Sequence, residues 1–290
     1  MAIKLSVIST KGGTGKTTLA VNLGAILADL NQRVLLVDAD PQPTASSYFS
    51  LRYTAPDGLS ELITRGPAAR VISRTSIDNL DLIASDDPAG ELREWILHDS
   101  IGRIRLKHAL AKLDDAYDII IVDTQGAVGP LQDAAAVAVD LLLSPIPPEI
   151  LSAREFVRGT VQMLDHLAPM IYMGAPVPPL KGIIYRQDRT TDAKQIAASI
   201  RQEFFSNSTK GAITGAITIL DTVVPATAAY KEAATRQMPV HRWETKRRGP
   251  TPSACETMLS LVRELLPHLE TKLPWSNEIE SAEPVQRANV

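Results

Sequence analysis

Apolar runs of strand length alternate along this chain with stretches whose apolar residues recur every three or four positions. The strand-like runs are residues 3–9, 33–37, 80–84, 119–122, 141–146, 182–185 and 216–220, and the amphipathic stretches are 17–30, 104–113, 131–139, 152–167 and 190–205. Such alternation is the signature of stacked βαβ units. It predicts an α/β, doubly wound, mostly parallel sheet flanked by helices. The proline-rich piece 175–179 reads as a loop, and past residue 266 the apolar periodicity fades. Residues 1–266 are therefore expected to form a single domain and 267–290 a flexible C-terminal tail.

Composition narrows the class. With 44% hydrophobic and 22% charged residues and no apolar run of membrane-spanning length, the chain belongs with ordinary globular proteins. The opening MAIKLSVIS reads as the first strand, with no long apolar stretch of the kind a signal peptide carries. A single cysteine, Cys255, excludes an internal disulfide framework and any cluster needing paired cysteines. Together these point to a reducing, cytoplasmic location. The net charge of −3 gives no overall attraction to nucleic acid, so any such binding must come from a local patch.

The first strand runs straight into Lys11, Gly12, Gly13, Thr14, Gly15, Lys16, Thr17 and Thr18, the sequence KGGTGKTT. A glycine-rich turn between strand and helix points successive backbone N–H groups inward, the helix adds its dipole, and Lys16 supplies a mobile charge. This is a polyphosphate cradle of P-loop NTPase type. It differs from the usual P-loop in having Thr10 five residues before the GK pair, where a glycine is usual, and in a second lysine, Lys11, at its mouth.

Two further apolar strands end in carboxylates. VLLVDADPQ places Asp38 and Asp40, and DIIIVDTQG places Asp123, at the carboxyl edge of the sheet beside the loop. A hard cation such as Mg²⁺ takes oxygen ligands and keeps several waters, so these residues suit a metal-assisted phosphate site. Helix N-capping is the alternative for Asp40 or Asp123 taken singly.

Basic residues cluster at Arg242, Lys246, Arg247 and Arg248, with Arg186, Arg189, Arg201, Lys231 and Arg236 earlier in the chain. Contacts to a nucleic-acid backbone need only positive charge, and solvated surface is the alternative reading. Arg103, Arg105 and Lys107, interleaved with Ile104 and Leu106, fit the face of an amphipathic helix equally well. The tryptophans have no stacking-platform spacing, and no histidine pair has metal-ligand spacing.

The motifs KGGTGKTT, DADPQ and IIIVDTQG, with the segment 140–148 and the run TVVPATAAYKEA from Thr222, resemble the ParA/MinD group of deviant P-loop ATPases, and within it the ParA-type (Soj-like) DNA-partition proteins. The resemblance implies ATP as ligand with Mg²⁺. It implies phosphate binding by Gly12 to Thr18, Mg²⁺ bound by Thr17, and support of that ion through water by Asp123. Lys11 resembles the lysine that reaches a partner subunit's ATP, and Asp40 the residue that positions attacking water. Gly126, Arg186 and Pro225 fall at nucleotide-contacting positions. The expected activity is slow ATP hydrolysis. The ATP-bound homodimer would bind DNA non-specifically, associate with the nucleoid and be released when a ParB-like centromere-binding adaptor stimulates hydrolysis. Departures from the family pattern are Gln125 and Gly126 where a Pro-Pro pair is common, and Tyr185, Arg186 and Gln187 where the adenine-side strand usually ends in Asn. With the loop at residue 11, no N-terminal helix-turn-helix domain is expected. The alternative role within the family is positioning a secretion, conjugation or polar protein complex. A MinD-like membrane role fits less well, because Glu270, Glu278, Glu280 and Glu283 oppose Lys272 and Arg287 in the C-terminal segment.

Overall fold

The computed structural model describes residues 1–149, 156–207 and 217–273. In chain order the elements are β1 (Ile3–Val7), α1 (Lys16–Asp29), β2 (Val34–Ala39), β3 (Leu51–Tyr53), α2 (Leu59–Thr64), β4 (Ser73–Thr75), β5 (Leu80–Ile83), α3 (Glu91–His98), α4 (Gly102–Ala111), β6 (Ile119–Thr124), α5 (Pro130–Val137), β7 (Leu141–Ile146), α6 (Val161–Leu167), β8 (Leu180–Gln187), α7 (Thr191–Asn207), β9 (Ile217–Pro225), α8 (Ala229–Thr235), α9 (Val240–Trp243) and α10 (Ala254–Leu265). Among the described residues they form one nine-stranded sheet in the order β3-β4-β5-β2-β6-β1-β7-β8-β9. From β5 to β9 every pairing is parallel, and β3 and β4 add an antiparallel edge.

The central strands β2 and β6 are apolar up to their carboxyl ends because each faces two cores, while β1 also buries Lys4 and Ser6. Along β6, Ile119 and Ile121 join the core under α1 and α10, while Ile120 and Val122 join the one under α2, α4 and α5. Parallel strands covered on both faces read as near-continuous apolar runs, which is why these runs are so plain in the sequence. Helix α1 is buried over most of its circumference, as expected of a helix wedged between a sheet and a second helix layer. Helix α10 starts with a capping box in which Ser253 and Glu256 satisfy each other's backbone N–H, a contribution of about 1 kcal/mol.

Every expected strand and helix finds a counterpart, with shifted ends. Strand β9 continues to Pro225, beyond the expected stop at 220, and the expected helix 152–167 is described from 156, where a wide turn leads into α6. Residues 150–155, position 216 and the tail positions 274–290 lie outside the described residues. The first tail positions pack inward, with Leu269 against the second core and Leu273 buried in it.

Candidate functional site

The turn from β1 into α1 rests on two glycines in the left-handed region, Gly13 at φ +73° and Gly15 at φ +101°, where L side chains are strained. Gly15 also lacks room for one, since a Cβ there would lie 2.2 Å from Cε1 of Tyr185. The ring of Tyr185, buried at the end of β8, thus closes on the start of α1. No side chain caps α1, so its first N–H groups and dipole are available to an anion. Thr10 fits against Gly159, where a Cβ would meet its hydroxyl at 2.6 Å. The polar chain of Lys16 is buried and donates from Nζ to the Lys11 carbonyl at 3.4 Å. Burial pulls its pKa below the ordinary lysine value, against the opposing pull of Asp123 and Asp40. Lys11 is half-buried at the mouth, its N–H donating to Ser9 Oγ at 3.3 Å.

Asp38 and Asp123 lie opposite each other where β2 pairs with β6, and Asp123 is also in register with Val7 at the root of the loop. Asp38 accepts from the Ser46 N–H (2.7 Å), the Ser46 hydroxyl (2.6 Å) and the Asp40 N–H (3.2 Å). Burial raises its pKa to about 6, and these bonds hold it from going higher. Asp123 is fully buried and neither carboxylate oxygen has a hydrogen-bond partner of good geometry. Burial pushes its pKa to about 8; the neighbouring Thr17 hydroxyl and Lys16 lower it, and Asp38 and Asp40 raise it. Capping is not its role, because α5 starts only at Pro130. Asp40 is half-exposed, and its Oδ1 accepts from the Gln42 N–H at 2.9 Å in a local turn.

The loop after β6 lies directly on the P-loop: a Cβ on Gly126 would come within 2.6 Å of Gly12 Cα. Gln132, on α5 behind that loop, donates to the Ser9 carbonyl at 3.2 Å. Beyond Tyr185 opens a cavity of about 520 Å³ lined by Thr18, Arg186, Pro225, Thr227 and Tyr230 among others. The Thr227 and Tyr230 hydroxyls are buried without partners, so a ligand offering polar edges between apolar walls would suit them. Arg186, itself at φ +60°, donates to the Gly13 carbonyl at 3.1 Å and ties β8 to the P-loop.

Lys16, Thr17, Asp40 and Asp123 therefore converge, Gly126 touches the loop, and Arg186 and Pro225 flank the adjoining cavity. The basic cluster is distributed differently. Arg242 pairs with buried Asp29, which His241 also contacts, and Arg247 pairs with Glu244. Arg236 lies over the Trp243 ring at 4.1 Å, Arg189 donates to Thr251, and Arg201 to the Leu220 carbonyl. Lys246 and Arg248 are exposed. Ser46 stands in no motif of the sequence, and Tyr185 at the end of the adenine-side strand and Thr227 and Tyr230 within the run TVVPATAAYKEA were given no role by the sequence alone.

The residues present fit a hydrated Mg²⁺. Asp123 offers two unpartnered carboxylate oxygens and Thr17 a hydroxyl beside it. Among the described residues no three His, Cys, Asp or Glu gather into a protein cage, and Mg²⁺ is ordinarily held by one or two carboxylates with phosphate oxygens. No helix among the described residues is long and apolar enough to cross a membrane.

Comparison with known proteins agrees with this geometry. A family model described as an AAA domain matches residues 2–170. The chromosome partitioning protein ParA of Myxococcus xanthus is 29% identical over 276 residues, covering 93% of this chain and 90% of that one. The maintenance of carboxysome distribution protein A of Synechococcus elongatus is 30% identical over 202 residues, covering 68% and 79%. The structure of apo McdA from Cyanothece superposes with a TM-score of 0.70 at 24% identity over 83% of this chain and 93% of that one, a likeness of fold. The chain belongs to the ParA/MinD family of deviant P-loop ATPases.

Proposed function

We propose that this chain is an ATP-dependent DNA-partition ATPase. ATP would close two copies into a sandwich dimer that binds DNA without regard to sequence, and hydrolysis stimulated by a ParB-like adaptor would release it. The observation that supports the nucleotide chemistry best is Asp123: a carboxyl group fully buried beside Thr17 and Lys16 with both oxygens unpartnered. Burying such a group without a partner is costly, and the cost is recovered when a cation arrives. Mg²⁺, when bound, screens the phosphate charge.

Each residue then has a task. The Gly12 to Thr18 backbone and Lys16 hold the phosphates, Thr17 and Asp123 support Mg²⁺, and Asp40 positions the attacking water. Lys11 crosses to the partner's phosphates, which would otherwise meet as unpaired like charge at the interface. Gly126, packed on Gly12, passes the state of the phosphate end to α5. The cavity behind Arg186 and Pro225 takes the base. Such catalysis consists of positioning and charge stabilisation, so the unstimulated rate is slow.

The two lysines test this reading. Lys16→Ala should abolish tight ATP binding, whereas Lys11→Ala should still bind ATP as a monomer and lose the nucleotide-dependent dimer. Sizing chromatography with a slowly hydrolysed ATP analogue separates the two, and normal dimerisation of the Lys11 variant would remove the cross-subunit role. The likeness to a carboxysome-distribution protein favours a second reading, the same ATP-switched dimer positioning a protein complex.

A further inference from the structure

Near its carboxyl end, β8 departs from regular pairing. Tyr185 is in register with Val224 and Gln187 with Pro225, so Arg186 is an extra residue between two consecutive partners on β9. Such a bulge re-aims a side chain and is common beside active sites. Arg186 also stands at φ +60°, in the left-handed region that a residue with a side chain occupies at a cost. Strain of this kind persists only where the surroundings hold it, and it concentrates at working sites. Here the side chain reaches the phosphate loop, donating from Nη1 to the Gly13 carbonyl at 3.1 Å, with the guanidinium 5.6 Å from the centre of the Tyr185 ring. A trans peptide unit points its carbonyl and its N–H in opposite directions, so fixing the Gly13 carbonyl on Arg186 fixes the Thr14 N–H facing away from it. Gly13 is at φ +73°, and as a glycine it has no side chain to select that orientation by itself.

We propose that Arg186 is a positioning residue for ATP hydrolysis: its bond to the Gly13 carbonyl holds the phosphate loop in the form that accepts the phosphates. The inference rests on the reading that residues 12–18 hold those phosphates. A loop that binds an anion does so with backbone N–H groups turned inward. A flipped Gly13–Thr14 peptide would present a carbonyl oxygen to the phosphate oxygens instead, and like partial charges repel. Arg186 blocks that flip from outside the loop, and the bulge in β8 is what brings its side chain there.

Because Arg186 also lines the adjoining cavity, the test compares Mg²⁺-ATP with inorganic tripolyphosphate, which has neither base nor ribose, each competing against a fluorescent ATP analogue on the full chain. Arg186→Ala should weaken both by the same factor, roughly tenfold for a lost hydrogen bond from a charged donor. With slow turnover KM reads binding, so KM for ATP should rise in step. In the nucleotide-free protein, hydrogen exchange across residues 10–18 should quicken. Arg186→Gly removes the same bond but relieves the left-handed strain, so it should bind as weakly as Arg186→Ala and melt no lower than the unaltered protein. Weaker ATP binding with unchanged tripolyphosphate binding would make Arg186 a contact to base or ribose. Weaker binding of both with unchanged exchange would make it a direct phosphate contact. Unchanged affinity for both, or Arg186→Gly melting well below the unaltered protein, would reduce it to a structural link. Each of these outcomes overturns the proposal. Failure of tripolyphosphate to compete on the unaltered protein would instead remove the phosphate-loop reading beneath it, and the proposal with it.

Discussion

Asp38 and Asp123 face each other across β2 and β6, but Asp38 accepts three hydrogen bonds and Asp123 none of good geometry, with only the Thr17 hydroxyl beside it. Equal chemistry in adjacent strands is thereby split into a structural carboxylate and a ligand-seeking one. Asp38 anchors the segment after β2 through Ser46, whose hydroxyl in turn accepts from the Ser85 N–H at 3.0 Å. Asp38→Ala should destabilise the apo protein by about 1–3 kcal/mol, because the Ser46 donors lose their acceptor. Asp123→Asn should leave apo stability unchanged or raised while abolishing the stabilisation that Mg²⁺-ATP gives. Thermal melts with and without Mg²⁺-ATP separate them, and a large apo loss in Asp123→Asn would show that its oxygens are satisfied after all.

The raised pKa of Asp123 has a definite sign in stability. The folded carboxyl holds its proton up to about pH 8, and in the unfolded chain it loses it near the ordinary value. Between those limits the folded state binds the extra proton. Stability from this group is thus fully present at low pH and falls as pH rises toward 8, by at most about 1.4 kcal/mol per unit. Cation binding must displace the proton, so Mg²⁺-ATP should bind more tightly as pH rises to about 8 and release a proton below it. Calorimetry in buffers of different ionisation enthalpy measures that release, and Asp123→Asn should abolish it.

Gly126→Ala isolates the contact between the two loops. Gly126 has no left-handed backbone to strain, so the only penalty is the Cβ against Gly12 Cα, Gly12 N and the Lys11 carbonyl. Backbone on both sides leaves nothing flexible to yield. About 1–3 kcal/mol of overpacking should appear as a displaced phosphate loop, read as weaker ATP binding with a largely retained melting temperature. Gly15→Ala should do more damage, since it adds left-handed strain to the clash with Tyr185.

Within the basic cluster the structure separates surface charge from fold. Arg242→Ala should cost about 1–3 kcal/mol by leaving buried Asp29 with His241 alone, less than for a fully buried pair because the guanidinium is more than a third exposed. Arg248→Glu should leave the melt unchanged, weaken duplex DNA binding in the ATP state and lower the log–log salt slope by about 0.9 per lost phosphate contact. Filter binding on unrelated duplexes decides it, and unchanged affinity in that variant would move the DNA surface elsewhere.

Much of this was legible in the sequence where a constraint is continuous along the chain. Strands β2, β6 and β7 are largely apolar because both faces are covered, and the phosphate loop is set by glycines needed in order. The antiparallel edge was not legible: β3 and β4 have three residues each, too few for a period-two pattern to register. Helix α10 was not among the expected helices, although the structure shows its Ser253–Glu256 capping box, and α2, α8 and α9 are too short to show a face. Tyr185 acts through a contact with Gly15, far away in sequence, and Ser46 through Asp38, eight residues earlier, and no spacing rule marks either one. The same holds for Arg242, whose charge suggested a surface and whose partner, Asp29, lies on another helix.

Asp40 separates hydrolysis from assembly. Its half-exposed carboxylate stands close enough to oppose the desolvation of Lys16, while phosphate affinity comes from the loop backbone, Lys16 and the Asp123 side. Asp40→Ala should therefore still bind ATP and still dimerise, and it should bind somewhat more tightly because one negative charge near the phosphates is gone. Among the described residues its carboxylate bonds to the Gln42 N–H, in an exposed turn, so the fold should lose less than about 1 kcal/mol. Turnover should fall to background, and the variant should persist as a DNA-bound dimer that an adaptor does not dissociate. The informative measurement is paired, ATP turnover and dimer fraction on the same sample. Retained turnover would take water positioning away from Asp40 and leave Asp123 as the candidate, since Asp38 is already committed to Ser46.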